Sequence, residues 1–271
     1  MPMIETDDGT ALYLKEWGDG PAVILIHGWP LSADSWDDQA LALADYGHRV
    51  ITYDRRGFGR SDQPWDGYDY DTLADDLAAV IEACDVEAPA LVGFSMGGGE
   101  VARYLTRYGG VRKAALISSV VPMMVETADH PEGVPESVFE DIKAGLNEDR
   151  AHFLKGFLKD FYGVGMLGSP VSDEQREWSL QIALQAGLKG TLDCVDAFAH
   201  TDFRPDLASF TMPTLIIHGT ADKTVPIDIT ARAAAKAIPH AKLIEYEGGP
   251  HGLLATHKDS ITKDLIAFLD S

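Results

Sequence analysis

The stretch Pro89-Ala90-Leu91-Val92-Gly93-Phe94-Ser95-Met96-Gly97-Gly98-Gly99 decides how the rest of the chain is read. It passes from a short apolar run to a helix-compatible run, Gly98 to Tyr108, with a serine at the join. Gly93-Phe94-Ser95-Met96-Gly97 fits the Gly-x-Ser-x-Gly pattern, in which a strained serine sits on a sharp strand-to-helix turn with its hydroxyl above the sheet. Glycines flank it because side chains there would strike the neighbouring strand and helix. The helix start also aims free backbone N–H groups at the same spot. Alone the pattern is weak, since chance gives about 0.1 matches per chain of this length. Its setting between a strand pattern and a helix pattern strengthens it.

Working outward, short β-branched runs alternate with helix patterns. Ala22–Ile26, Arg49–Tyr53, Pro89–Phe94, Lys113–Ser118, Pro213–His218 and Ala241–Tyr246 read as strands. Several are apolar on both faces, as parallel strands covered by helices on both sides must be. Leu73, Leu77, Val80, Ile81 and Cys84 form one helical stripe, Ala231 to Ile238 is helix-favouring, and Leu265, Ile266 and Leu269 mark a C-terminal helix. This alternation predicts an α/β fold with a mostly parallel central sheet and right-handed crossovers.

Between Pro122 and Pro205 the alternation stops. Phe153, Phe157 and Phe161 repeat at four-residue spacing, as do Trp178 and Ile182, with turns at Gly133-Val134-Pro135 and Gly163–Pro170. The expectation is a core of residues 1–121 and 206–271, with residues 122–205 inserted as a helical cap.

Ser95 needs a base, and the base needs an orienting acid. His218-Gly219-Thr220-Ala221-Asp222 puts an acid just past a strand end, and Gly248-Gly249-Pro250-His251 puts a histidine past the last strand. The order Ser95, Asp222, His251 suits this architecture, and all three follow the C-terminal ends of strands, where open α/β sheets build their sites. An oxyanion hole needs two N–H donors. The backbone of Met96 and that of Trp29, in the loop His27-Gly28-Trp29-Pro30, are the candidates. Pro30 has no N–H, but it biases Trp29 toward extended conformations. Trp29, Pro30, Val120, Met124, Phe157, Phe161, Phe198 and Val225 are the candidate substrate-binding wall. His27 and His218 read as structural loop residues, and Arg55 and Arg56 as loop-fixing ones. His200, His240 and His257 show no metal-ligand spacing with one another.

The 22 Lys and Arg against 43 Asp and Glu leave a formal net charge of −21. That field repels nucleic-acid phosphates and anionic lipid surfaces, so nucleic-acid and membrane partners are not expected. Ten acids and no Lys or Arg fall between Ser61 and Ala102, which reads as a solvated face. Cys84 and Cys194 fit no disulfide framework or zinc spacing. The N-terminus lacks the pattern of a secretory signal, and no apolar run approaches the ~20 residues of a spanning helix. The expectation is a cytoplasmic protein.

These residues resemble the α/β-hydrolase family along essentially the whole chain. The resemblance rests on His27-Gly28-Trp29-Pro30, Tyr53-Asp54-Arg55-Arg56-Gly57-Phe58-Gly59-Arg60-Ser61-Asp62, Gly93–Gly99, Thr201-Asp202-Phe203-Arg204-Pro205-Asp206-Leu207, His218–Asp222 and Pro250-His251-Gly252. Phe58-Gly59-Arg60-Ser61-Asp62-Gln63-Pro64-Trp65 and Gly93–Gly99 are similar to bacterial arylesterases and the related cofactor-free haloperoxidases, or perhydrolases. The resemblance implies hydrolysis of small esters with water. It also implies peracid formation from short carboxylic acids and hydrogen peroxide, with no metal or organic cofactor. Pro after the Trp of the oxyanion loop is a feature of members called haloperoxidases, so Pro30 leans toward peracid formation. Members are often trimers or larger. Ser95 argues against haloalkane dehalogenases and epoxide hydrolases, which need a carboxylate at the turn. Lactonase, γ-lactamase and carbon–carbon hydrolase chemistry stay open, and a non-catalytic receptor on the same fold is the reading from another class.

Overall fold

The computed structural model describes residues 3–165 and 168–271. Eight strands form one sheet: β1 (Met3–Glu5), β2 (Ala11–Trp17), β3 (Ala22–Ile26), β4 (Arg49–Tyr53), β5 (Ala90–Phe94), β6 (Lys113–Ile117), β7 (Thr214–Gly219) and β8 (Lys242–Tyr246), in the order β1-β2-β4-β3-β5-β6-β7-β8. From β4 to β8 every pairing is parallel, while β1–β2 and β2–β4 are antiparallel. The six expected strands are present, with ends shifted by at most one residue. The sequence reading missed β1 and β2. β1 has three residues, too few to show a period, and the outer end of β2 turns Glu16 and Trp17 to solvent. β2 is therefore neither continuously apolar nor cleanly alternating.

Side chains alternate between two cores, one on each face of the sheet. Ile24, Ile26, Leu91, Leu116 and Ile216 pack on one side, beneath α2 (Tyr70–Ala83), α3 (Met96–Arg107) and α7 (Ala231–Ala237). Val23, Leu25, Val92, Ile117 and Leu215 pack on the other, beneath α1 (Asp37–Asp45) and α9 (Lys258–Leu269), which follows the one-turn helix α8 (Leu253–Thr256). This two-sided burial is why the central strands read as unbroken apolar runs.

Between β6 and β7 the chain forms α4 (Glu136–Phe161), α5 (Asp173–Gln185) and α6 (Leu188–His200). α4 bends where Asp149 leaves the helical region (φ −153°, ψ 90°). The Asp149 carboxylate accepts the His152 N–H (3.0 Å) and so caps the second half of the helix. The turn expected over Gly163–Pro170 includes Met166 and Leu167, which lie outside the described residues. Among those described, no helix is long and apolar enough to cross a membrane.

The acidic run between Ser61 and Ala102 is only partly the solvated face expected from its charge. The Asp69 carboxylate caps α2, accepting the N–H groups of Asp71 and Thr72 (both 3.0 Å). Asp71 and Asp75 face Arg103 and Arg107 on the adjacent α3. Asp76 and Glu100 are buried, one held by Arg56 and the other by Arg55. α2 packs beside α3, so Asp71 and Asp75 meet arginines of α3, while the loop after β4 brings Arg55 and Arg56 onto Glu100 and Asp76.

Candidate active site

β5 ends at Phe94 and α3 begins at Met96, leaving Ser95 alone to reverse direction. Its backbone sits at φ 55°, ψ −119°, a region L-residues rarely occupy. A Cβ on Gly93 would lie 2.5 Å from the Gly97 carbonyl oxygen, and one on Gly97 2.6 Å from that of Ile26. Neither carbonyl can yield, since both are backbone atoms, so this close approach of turn, helix and strand requires glycine. The turn is tied to the sheet by the Ser95 N–H, which donates to the Ile117 carbonyl (2.8 Å).

Two loops bring partners to Ser95 from far along the chain. The Ser95 Oγ lies 2.9 Å from His251 Nε2, and His251 Nδ1 lies 2.6 Å from Asp222 Oδ2. A carboxylate only accepts, so Nδ1 carries the ring proton and Nε2 is left to accept from the Ser95 hydroxyl. The other Asp222 oxygen, Oδ1, accepts the N–H groups of Thr224 (2.9 Å) and Val225 (2.8 Å). Burial by itself would raise the Asp222 carboxyl. The charge of His251 and hydrogen bonds from His218 and His251 outweigh it and hold the group well below the usual carboxylate range. Phe94 and Phe161 pack against the His251 ring, with centroids 5.3 and 5.0 Å away.

His218 takes part in this arrangement. Its Nε2 is 2.9 Å from the Val225 carbonyl oxygen, so that nitrogen carries the proton, and 3.2 Å from Asp222 Oδ2. The sequence placed His218 at a strand end without this contact. A histidine four residues before an acid, across a strand terminus, was the available signal.

Trp29 follows β3 in the turn Gly28–Leu31, closed by the Leu31 N–H on the Gly28 carbonyl (3.0 Å), with a cis Trp29–Pro30 peptide. Its indole donates to the Thr191 carbonyl on α6 (3.0 Å) and packs edge-on against Phe157 (5.2 Å) and Phe198 (5.7 Å). Among the described residues, neither the Trp29 N–H nor the Met96 N–H has an acceptor. Both are buried, which leaves two donors free near the nucleophile position.

A mostly apolar cavity adjoins Ser95. Six of the expected wall residues line it: Trp29, Val120, Met124, Phe157, Phe198 and Val225. Two do not. Phe161 is buried between Phe94 and His251, one helical turn beyond Phe157, and packs against the imidazole rather than the cavity. Pro30 is buried but does not line the cavity, because the turn sends the Trp29 side chain to the wall instead. The sequence reading missed Val134, Val138, Phe139, Ile142 and Thr224. Val138 and Ile142 are one turn apart at the start of α4, a spacing that suggests a helix face without saying what it faces.

The chain matches the family described as the alpha/beta hydrolase fold over residues 21–258. The chain belongs to the α/β-hydrolase family. It is 42% identical to a non-heme chloroperoxidase of Kitasatospora aureofaciens, over 100% of both chains. It is 43% identical to a bifunctional esterase/perhydrolase of Acinetobacter calcoaceticus, again over 100% of both. A crystal structure of a bromoperoxidase from Bacillus anthracis superimposes with a TM-score of 0.96 at 46% identity, covering 100% of this chain and 99% of that one.

In this α/β hydrolase a second buried network supports the loop that carries Trp29. Burial and the Arg55 charge push His27 well below the usual imidazole range. The neutral ring then accepts the Arg55 N–H at Nε2 (2.9 Å) and donates from Nδ1 to the Gly28 carbonyl (3.0 Å). The Arg55 guanidinium donates to the His27 carbonyl (2.6 Å) and to Glu100 (2.6 Å), and Glu100 also accepts the Tyr53 hydroxyl (2.6 Å). Glu100 lies one turn into α3, so the network joins the loop carrying Trp29 to the helix that begins at Met96.

Proposed function

We propose that this chain is a serine hydrolase that takes a short acyl group from a small ester, or from a short carboxylic acid, onto Ser95. The acyl group is then passed to water, giving the acid, or to hydrogen peroxide, giving the peracid. The observation that carries the reading is the continuous relay Ser95–His251–Asp222, with contacts of 2.9 and 2.6 Å, opening on an apolar cavity. The perhydrolysis branch draws its support from the chloroperoxidase, bromoperoxidase and esterase/perhydrolase relatives.

In this mechanism His251 Nε2 takes the hydroxyl proton as Ser95 Oγ attacks the acyl carbonyl. Asp222 holds the ring in the tautomer that can accept and stabilises the imidazolium. The N–H groups of Trp29 and Met96 hydrogen-bond the oxyanion. His251 returns the proton to the leaving alcohol, then activates water or hydrogen peroxide to release the acyl group. Trp29, Val120, Met124, Phe157, Phe198 and Val225 surround the acyl chain. No step requires a cofactor. The two free, buried thiols suit a reducing compartment, which supports a cytoplasmic location, and the family resemblance supports a trimer or larger assembly.

Ser95→Ala is the test. It is expected to abolish p-nitrophenyl acetate hydrolysis, together with bromide-dependent halogenation of monochlorodimedone from acetate and hydrogen peroxide. The fold should stay intact. Retention of most of either activity refutes the assignment of that activity to Ser95.

A further inference from the structure

Met124 lies on the wall of the cavity that contains Ser95. Among the described residues it is the methionine that does so. Its neighbour Met123 is buried but lines no part of this cavity, and Met3 is 42% exposed on the edge strand. The chain therefore presents a thioether where the acyl-enzyme is discharged, with two built-in comparisons elsewhere. One is shielded from both solvent and cavity, and the other is open to solvent.

We propose that Met124 is an oxidation site through which the enzyme inactivates itself in proportion to the peracid it makes. The proposal rests on the perhydrolysis reading. The oxidant is the percarboxylic acid released from Ser95. The sulfur lone pair of Met124 attacks the terminal peroxy oxygen. The S–O bond forms as the O–O bond breaks, the proton of that oxygen passes to the departing carboxylate, and the products are the sulfoxide and the carboxylic acid. Sulfur is oxidised by two electrons and the peroxy bond is reduced by two.

Confinement favours this transfer. Peracid released from Ser95 starts in the cavity that Met124 lines, so it meets that thioether at high effective concentration before it escapes. The other oxidisable side chain on the wall, Trp29, offers an indole, while the thioether offers a lone pair on a soft, polarisable atom. The sulfoxide oxygen then stands in a wall built of Val120, Phe139, Phe157 and Val225, where nothing apolar can satisfy it. Acyl binding suffers, and reduction by a methionine sulfoxide reductase restores the wall.

The test compares two oxidant sources by peptide mass spectrometry. Wild-type enzyme turns over acetate and hydrogen peroxide, with peracid formation followed by halogenation. Separately, Ser95→Ala receives peracetic acid in the bulk at the concentration the wild type accumulates. During turnover, Met124 sulfoxide is expected to exceed Met3 sulfoxide and to leave Met123 untouched. With bulk peracid the order should reverse, shifting the Met124-to-Met3 ratio by at least tenfold. In parallel, Met124→Leu, which conserves volume, is followed against its own initial rate and should lose several-fold less activity per turnover. The same Met124-to-Met3 ratio in both experiments overturns the proposal, as does equal Met124 oxidation by hydrogen peroxide without acetate. Unchanged decay in Met124→Leu refutes Met124 as the inactivating lesion. If the wild type forms no peracid, the perhydrolysis reading fails first and the proposal falls with it.

Discussion

Replacing Asp222 by Asn asks whether the relay works through the His251 tautomer, and the geometry dictates the orientation of the new amide. The position of Oδ1 accepts two backbone N–H groups, from Thr224 at 2.9 Å and Val225 at 2.8 Å, so the amide oxygen must stay there. The amide nitrogen then occupies the Oδ2 position, 2.6 Å from His251 Nδ1 and 3.2 Å from His218 Nε2. The His218 proton is already directed at that region, because Nε2 must donate to Val225 O. The new NH2 is thus left to donate to His251 Nδ1. The ring proton moves to Nε2, facing Ser95 Oγ across 2.9 Å, where it can no longer accept the hydroxyl proton. Turning the amide over would set its NH2 against two N–H donors in a buried place and orphan them, at about 1–3 kcal/mol each. The imidazolium also loses its carboxylate. A wrong tautomer of this kind costs about 10⁴ in turnover in serine hydrolases of this design, or about 5.5 kcal/mol at 1.36 kcal/mol per factor of ten. The assay is kcat and KM on p-nitrophenyl acetate, with thermal unfolding as a check that the variant is folded. KM should move little, since Asp222 does not line the cavity. A folded Asp222→Asn variant within tenfold of wild-type kcat refutes the tautomer argument, and so does a loss confined to KM.

Two further outcomes follow from the same geometry. The Asp222 carboxyl is depressed in the folded state, so its contribution to stability is fully present above the unfolded value of about 4 and is lost as pH falls below it. The difference in unfolding free energy between wild type and Asp222→Asn, from urea titrations between pH 6 and pH 3, should narrow below about pH 4. A gap that holds or widens runs against the assignment. Phe157→Ala removes a half-buried ring that packs 5.2 Å from Trp29 on the cavity wall. It should raise kcat/KM for p-nitrophenyl butyrate relative to acetate several-fold and cost about 1–3 kcal/mol of stability, less than the 3–5 of a fully buried Phe→Ala. An unchanged butyrate-to-acetate ratio means that Phe157 does not bound the acyl pocket.

The chemistry of the candidate site was legible because its parts announce themselves locally. A glycine-flanked serine between an apolar run and a helix admits few backbone shapes, and the close contacts at Gly93 and Gly97 are the reason. Asp222 and His251 stand directly after strand patterns, and parallel strands with uniform crossovers bring all C-terminal ends to one edge. Phe161 was misplaced on the cavity wall because four-residue spacing puts Phe157 and Phe161 on the same helix face. One turn of advance along α4 carries Phe161 past the cavity and onto His251.

The sequence by itself determined the six central strands, the sharp turn at Ser95, the order of the relay and the presence of helices between Pro122 and Pro205. Each depends on burial periodicity or turn stereochemistry within a few residues. Only the tertiary structure decided that the start of α4 closes the cavity with Val138, Phe139 and Ile142. It likewise decided that the Trp29 indole bonds to Thr191, 162 residues away, and that His218 shares an oxygen with His251. It also decided that Glu100 and Asp76, which look like surface charge in the sequence, are buried beneath Arg55 and Arg56. These are contacts between elements distant in the chain. Local periodicity says that a face is apolar or that an acid is present. Which surface it meets depends on how the elements pack, because burial and charge pairing depend on neighbours in space rather than in sequence.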